Sequence, residues 1–372
     1  MDRTVLVAVV VLTAAFVPAV AGAQTADGDC SFPVERTDVT GTEVRVTEEP
    51  TRVVTLNPSA AQTMWEIGAR EKVVGVTKHA SNLDGAAAKT NISGAGQTIN
   101  NEEVVGLEPD LVLAPNTVTN DTVEKLRDSG LTVYRFREAE SIDDIKRKTV
   151  IIGELTGECA GAAETVEWME SRLATVDQAV EGAQQPDAIY VFYSYTSGQN
   201  TFIHTLIERA GGDNIAADAG IEGYKPVNQE VIVNRNPEWI LLNDDWDEVP
   251  NNAAYNSTTA VREDNVLVIN KNHLNRPAPR VVYALTTMAE TFHPEAYAAA
   301  NTTDTTAASS GTDTAVETAT ETATGTAGDG QSTTSTPAEQ TTGGGSPGFG
   351  AVVALLALVV LTAGAVGAGR ER

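Results

Sequence analysis

The chain has 372 residues, of which 41% are apolar, and 51 Asp and Glu stand against 25 Lys and Arg, a formal charge of −26. Length and apolar content are enough to bury a sizeable core, which rules out a wholly disordered chain. A surface this acidic repels nucleic acid and argues against a DNA or RNA partner. The bases divide into 8 Lys and 17 Arg. An acid-rich, Lys-poor surface suits concentrated salt, which screens its self-repulsion; the plainer alternative is an acidic soluble protein.

In chain order, Asp2 and Arg3 precede VLVAVVVLTAAFVPAV and Ala21-Gly22-Ala23. A basic residue, a short apolar run and a small-x-small site make residues 1–23 a secretory signal peptide, with an uncleaved anchor as the alternative. The rest of the chain is then exported. Its two cysteines, Cys30 and Cys159, are expected to pair outside the cell. Sequons stand at Asn91, Asn120, Asn256 and Asn301 and mark candidate N-glycosylation sites.

Residues 24–140 read as an N-terminal lobe. Strands are expected at RVVTL (52–56), VVGV (73–76), DLVLA (110–114) and TVYRF (132–136). Helices are expected at Ser59–Ala69, with Ser59 as N-cap, and at Asn120–Ser129, ended by Gly130. Residues 141–181 carry apolar positions at helical spacing, from Ile145 to Val176, and read as a long linking helix; Gly153, Gly157 and Gly161 weaken it, with a break expected near Gly157. A C-terminal lobe follows over 182–297, with strands at AIYVFY (188–193), WILL (239–242) and VLVI (266–269).

The halves resemble each other. EEVVGLEPDLVLA (102–114) and EVIVNRNPEWILL (230–242) share an acid, a short helical stretch, a proline and an apolar strand at a constant offset. The fold class is therefore α/β, with parallel sheets built of βαβ units: two Rossmann-like lobes joined by a long rigid helix, with a ligand cleft between the lobes. A rigid linker implies only slight closure on a ligand.

Residues 298–346 are rich in Thr, Ala, Ser and Gly and read as a disordered stalk. Pro347, Gly348 and Phe349 then precede the apolar run 350–369 and the basic tip Arg370-Glu371-Arg372. Such a run is long enough to span a bilayer. Triplet, apolar helix and basic tip in that order over 347–372 resemble the archaeal sorting signal read by archaeosortases, which implies an archaeosortase-type processing enzyme and a lipid replacing the helix. A plain transmembrane anchor is the alternative. Both place the protein on the outer face of the cell membrane, held at its C-terminus.

PTRVVTLNPSAAQTMWEIGA (50–69), KVVGVT (72–77), EPDLVLAP (108–115), TFIHTLIERAGGDNIA (201–216) and RPAPRVVYAL (276–285), in this order, resemble the substrate-binding proteins of metal-chelate ABC importers. The resemblance covers nearly all of the folded part. It implies two α/β lobes bridged by a helix, reversible capture of a chelate without chemistry, and delivery to a permease and its ATPase. The transported ligand would contain iron or cobalt: a ferric siderophore first, then cobalamin, then haem. It also implies that Glu102 and Glu230 dock onto permease arginines, one from each lobe.

Candidate ligand contacts are Ser59, His79, Asn116 and Thr117 in the first lobe, and Tyr193, Tyr195, Tyr224, Trp246, His273 and Arg276 in the second. His79, Tyr224 and Arg276 match positions that contact ligand in the cobalamin-binding relatives. Aromatic faces suit bulky chelates, and Arg276 suits an anionic one. No metal site is assigned, because His79, His204, His273 and His293 are the only histidines and form no His-rich loop. The alternatives are a bare divalent-metal or haem binder of the same fold and a surface sensor or adhesion module. There is no G-x-S-x-G elbow, no H-E-x-x-H and no phosphate-binding P-loop, so no enzyme is expected.

Overall fold

The computed structural model describes residues 30–310 except 97, with backbone alone over 303–310. The signal peptide, the stalk beyond residue 310, Pro347-Gly348-Phe349 and the apolar run 350–369 lie outside the described residues. The chain divides into two compact units, residues up to Ser171 with Arg276–Val282, and Arg172–Asn275 with the remainder from Tyr283.

In the first unit, β1 (Val34–Thr37) and β2 (Glu43–Val46) form an antiparallel hairpin. The main sheet contains β3 (Val53–Thr55), β4 (Val73–Val76), β5 (Thr90–Asn91), β6 (Leu111–Ala114) and β7 (Val133–Arg135). Its order is β5-β4-β3-β6-β7 and every pairing is parallel. β3 and β6 are buried throughout, as a sheet covered on both faces requires. The helices are α1 (Pro58–Glu66), α2 (Asn101–Gly106), α3 (Asn120–Asp128), α4 (Ile142–Thr156) and α5 (Cys159–Val180), which continues into the second unit from Arg172.

One local expectation changes here, and two others are met. The N-cap of α1 is Asn57, whose side chain accepts from the Ala60 N–H; Ser59 lies inside the first turn. Pro at the first helical position explains the shift, because its missing N–H needs no cap partner. The segment 141–181 is two helices. Ser141 and Asp144 cap α4 reciprocally, and Gly157 ends it at φ 81, a left-handed conformation that glycine adopts without steric cost. The disulfide Cys30–Cys159 joins the start of α5 to the head of the described chain, with Cα atoms 5.5 Å apart.

The second unit contains β8 (Asp187–Phe192), β9 (Tyr195–Ser197), β10 (Asp213–Asn214), β11 (Tyr224–Pro226), β12 (Trp239–Asn243) and β13 (Val266–Ile269). β12 lies between β8 and β13, parallel to both, and β10 runs parallel to β8. The expectation of a purely parallel sheet fails beyond β8: β9 and β11 are antiparallel, because the chain reverses within Tyr193-Ser194. The helices are α6 (Phe202–Arg209), α7 (Ile215–Asp218), α8 (Gln229–Arg235), α9 (Ala253–Asn256), α10 (Thr259–Arg262), α11 (Lys271–Leu274), α12 (Val281–Phe292) and α13 (Pro294–Ser310). α13 carries helical backbone into the segment read as stalk from residue 298. Tyr297 and Ala300 are buried, so its first turns have an apolar face to anchor them.

The repeat seen in the sequence is structural. α2 leads into β6, between β3 and β7; α8 leads into β12, between β8 and β13. Among the described residues no helix is long and apolar enough to cross a membrane.

Candidate functional site

In the first unit, the segments after the carboxyl ends of β3, β4 and β6 carry Ser59, in the first turn of α1, His79 and Asn116-Thr117. Arg276, expected in the second lobe, belongs to the first unit. Its guanidinium donates to Asn82 Oδ1 at 2.8 Å and to the His79 carbonyl at 2.6 Å. Burial lowers its pKa to about 10, helped by repulsion from Arg280; it stays cationic. Lys148, from α4, donates to Ser59 Oγ at 2.8 Å and to the Pro277 carbonyl at 3.2 Å. Ser59, His79 and Arg276 are thus gathered around one turn, with Lys148 and Asn82 added. Sequence reading missed those two, because they join the turn across 129 and 194 positions. Asn116 is held elsewhere: its carbonyl accepts from Arg135, and it lines a polar groove with Thr40, Thr42 and Arg127. Thr117 is exposed beside it.

In the second unit, the aromatic candidates form one cluster. Phe192, the last residue of β8, sits with ring centroids 6.0 Å from Tyr195, 6.0 Å from Tyr224 and 6.4 Å from Tyr193. Tyr193 meets Trp246 at 4.7 Å. Behind them Tyr190 stacks on Phe192 at 5.4 Å. Tyr193 takes φ 53, which turns the chain at the end of β8. The loop carrying Trp246 is fixed by Asn243, whose Oδ1 accepts the Asp245 N–H and whose carbonyl accepts the Trp246 N–H. Asn243 Nδ2 also donates to the buried Tyr190 hydroxyl at 2.6 Å. Burial pushes the Tyr190 hydroxyl pKa up, so it stays protonated. Tyr224 and Trp246 remain 48% and 36% exposed, so the cluster opens to solvent through them. Phe192 was read only as part of the strand AIYVFY and not as a ligand contact. His273, on α11, lies 5.1 Å from Tyr283.

Glu102 and Glu230 are the second residues of α2 and α8, and both are exposed. In each helix an asparagine does the capping: Asn100 accepts from the Glu103 N–H, and Asn228 from the Glu230 N–H. The glutamate carboxylates therefore do not serve as caps. His204 contacts Glu208 and Asn214 within the second unit, and buried His293 contacts the Gly211 carbonyl. Among the described residues no three His, Cys, Asp or Glu side chains are grouped to hold a metal ion. The sequon residues Asn91, Asn120, Asn256 and Asn301 are all exposed.

The profile of the periplasmic binding protein family matches residues 53–272, from the first strand of the main sheet to α11. The chain belongs to this family. A "Cobalamin-binding protein" of Halobacterium salinarum is 46% identical over 286 residues, covering 73% of this chain and 78% of the relative. A "Vitamin B12-binding protein" of Yersinia pestis is 24% identical over 63% of this chain and 83% of its own. Among solved structures, the periplasmic heme-binding protein RhuT from Roseiflexus superposes with a TM-score of 0.60 at 23% identity, covering 66% of this chain and 98% of the other. That likeness concerns the fold, two α/β units of the periplasmic binding protein type. The family is one of binding proteins, and it implies a location outside the cytoplasm.

Proposed function

We propose that this protein captures a corrinoid of the cobalamin class outside the cell and delivers it to an ABC importer. One observation carries the choice of cobalamin over the ferric siderophore that the sequence ranked first: the 46% identity over 286 residues with a cobalamin-binding protein. The geometry supports it. A corrinoid is a broad, largely apolar macrocycle with polar arms, and the five-ring cluster of the second unit offers it extended aromatic contact. The cationic turn of the first unit, with Arg276 and Lys148 held by neutral partners, offers contacts to polar or anionic arms. Capture is reversible and involves no chemistry.

Docking on a permease through Glu102 and Glu230 is supported by their equivalent, exposed positions at the starts of α2 and α8. Surface tethering is supported by the apolar run 350–369 and the Pro347-Gly348-Phe349 triplet, with an archaeosortase-type enzyme as the processing partner. Glycans at the four exposed sequons accord with export.

The test is a titration of the purified protein, in high salt, with cyanocobalamin, haem and a ferric hydroxamate siderophore, followed by Trp and Tyr fluorescence. Saturable quenching by cyanocobalamin, and weaker or no response to the others, is expected. Saturation by haem or siderophore with none by cyanocobalamin would overturn the corrinoid reading.

A further inference from the structure

Lys148 stands out among the cations of the first unit. Two of its three ammonium hydrogens are engaged, by Ser59 Oγ at 2.8 Å and the Pro277 carbonyl at 3.2 Å, and the ammonium lies 6.0 Å from the centroid of the Phe136 ring. No carboxylate pairs with it among the described residues. Ser59 is equally unusual. Its hydroxyl oxygen accepts from both Lys148 Nζ and Asn57 Nδ2, the second also at 2.8 Å, and the residue is 3% exposed. With both lone pairs taken, the hydroxyl hydrogen has to point toward some third group, and no acceptor for it stands among the described residues. Two donor atoms 2.8 Å apart therefore each hold a spare hydrogen.

A group that only accepts hydrogen bonds and carries negative charge meets both needs at once. Burial has lowered the Lys148 pKa to about 8, so its charge is poorly stabilised in the empty protein, and a bound anion would restore it. All of the partners, Ser59, Asn57, Pro277 and Phe136, are neutral, so they orient the ammonium without cancelling its charge.

We infer that Lys148 and Ser59 form a subsite for an anionic oxygen of the bound ligand, and that this oxygen belongs to a phosphodiester. The phosphodiester rests on the corrinoid reading above: a complete cobalamin carries one, in the arm that holds its nucleotide, and cobinamide is the same macrocycle without it. The subsite then selects complete corrinoids over truncated ones.

The experiment compares the full chain with its Lys148→Met and Ser59→Ala variants, titrated at one salt concentration with cyanocobalamin and with dicyanocobinamide. A charge-assisted hydrogen bond contributes about 1.5–3 kcal/mol, so Lys148→Met should weaken cyanocobalamin binding about 10- to 100-fold. Cobinamide, which lacks the phosphodiester, should lose much less. Ser59→Ala should show the same selectivity with a smaller loss, and it carries the test if Lys148→Met does not fold. Equal losses for both corrinoids, or no loss for either, would overturn the subsite. A parent protein that binds neither corrinoid would instead bring down the corrinoid reading, and the phosphodiester with it.

Discussion

Replacing Lys148 by Met should stabilise the ligand-free protein at neutral pH, although the same change weakens its proposed binding. The drop of the Lys148 pKa from 10.5 to about 8 has one cause, burial, and corresponds to about 3 kcal/mol of penalty for holding the charge in the folded state. Methionine has similar length and no charge, so the penalty disappears. Against this, the bonds to Ser59 Oγ and the Pro277 carbonyl are lost, at about 0.5–1.5 kcal/mol each. The net gain at pH 7 is between about 0 and 2 kcal/mol. The pH dependence follows from the same numbers. The folded-state pKa lies below the unfolded one, so between pH about 8 and 10.5 the unfolded chain holds a proton that the folded chain has released. In that window the parent's stability rises with pH from this group, and the variant lacks the rise. Urea unfolding of both proteins at pH 7 and pH 10, at fixed salt, measures the difference. The variant should lead at pH 7 and lose that lead by pH 10. A variant that is less stable at pH 7, with the same dependence on pH as the parent, would refute the reasoning.

Three further outcomes are expected. Tyr224→Ala and Trp246→Ala should each weaken cyanocobalamin binding about tenfold or more in a fluorescence or calorimetric titration, with unchanged circular dichroism because both rings are partly exposed; unchanged affinity would remove the aromatic cluster from the site. The double change Glu102→Ala with Glu230→Ala should abolish importer-dependent uptake by cells while leaving affinity as it was, and normal uptake would end their docking role. Replacing Cys30 and Cys159 together by Ala frees a closure of 129 residues and should cost about 5 kcal/mol in urea unfolding; a loss below about 1 kcal/mol would mean that the unfolded chain is already compact around that closure.

Most of the parallel strands were legible because they are short β-branched runs, and β3 and β6 are buried throughout. VVGV was read at 73–76 and VLVI at 266–269, and those are the bounds of β4 and β13. The pair β9 and β11 was not legible. Tyr-Thr-Ser and Tyr-Lys-Pro carry no alternation, and β11 is exposed throughout, so burial leaves no pattern to read. Gly161 misled in another way. It was counted against a helix, but a Cβ there would come within 2.1 Å of the Ile67 carbonyl oxygen, so glycine is what lets α5 approach the end of α1. The aromatic candidates were named because strand ends and aromatic type together point to a binding face, and the structure groups their rings. Lys148 was not, since its helix reads as a linker and its partners stand 89 and 129 positions away.

The contrast among the first unit's cations shows how charge is kept available in a chain so rich in acid. Lys72 is neutralised by Glu49 and Glu158, and Arg280 by Glu66 at 2.6 Å. Those groups are structural ties. Arg276 and Lys148, on either side of the same turn, are held instead by a carboxamide, two carbonyls and a hydroxyl. Neutral acceptors fix direction as well as a carboxylate does, but they leave the positive field intact for an incoming group. Dissolved salt screens exposed pairs over a few ångströms and reaches partly buried ones much less. A cation that must recognise an anion in concentrated salt therefore works best half-buried and neutrally clamped. The depressed pKa of Lys148 follows from that placement: the folded protein gives up stability there, and the proposed anion would restore it.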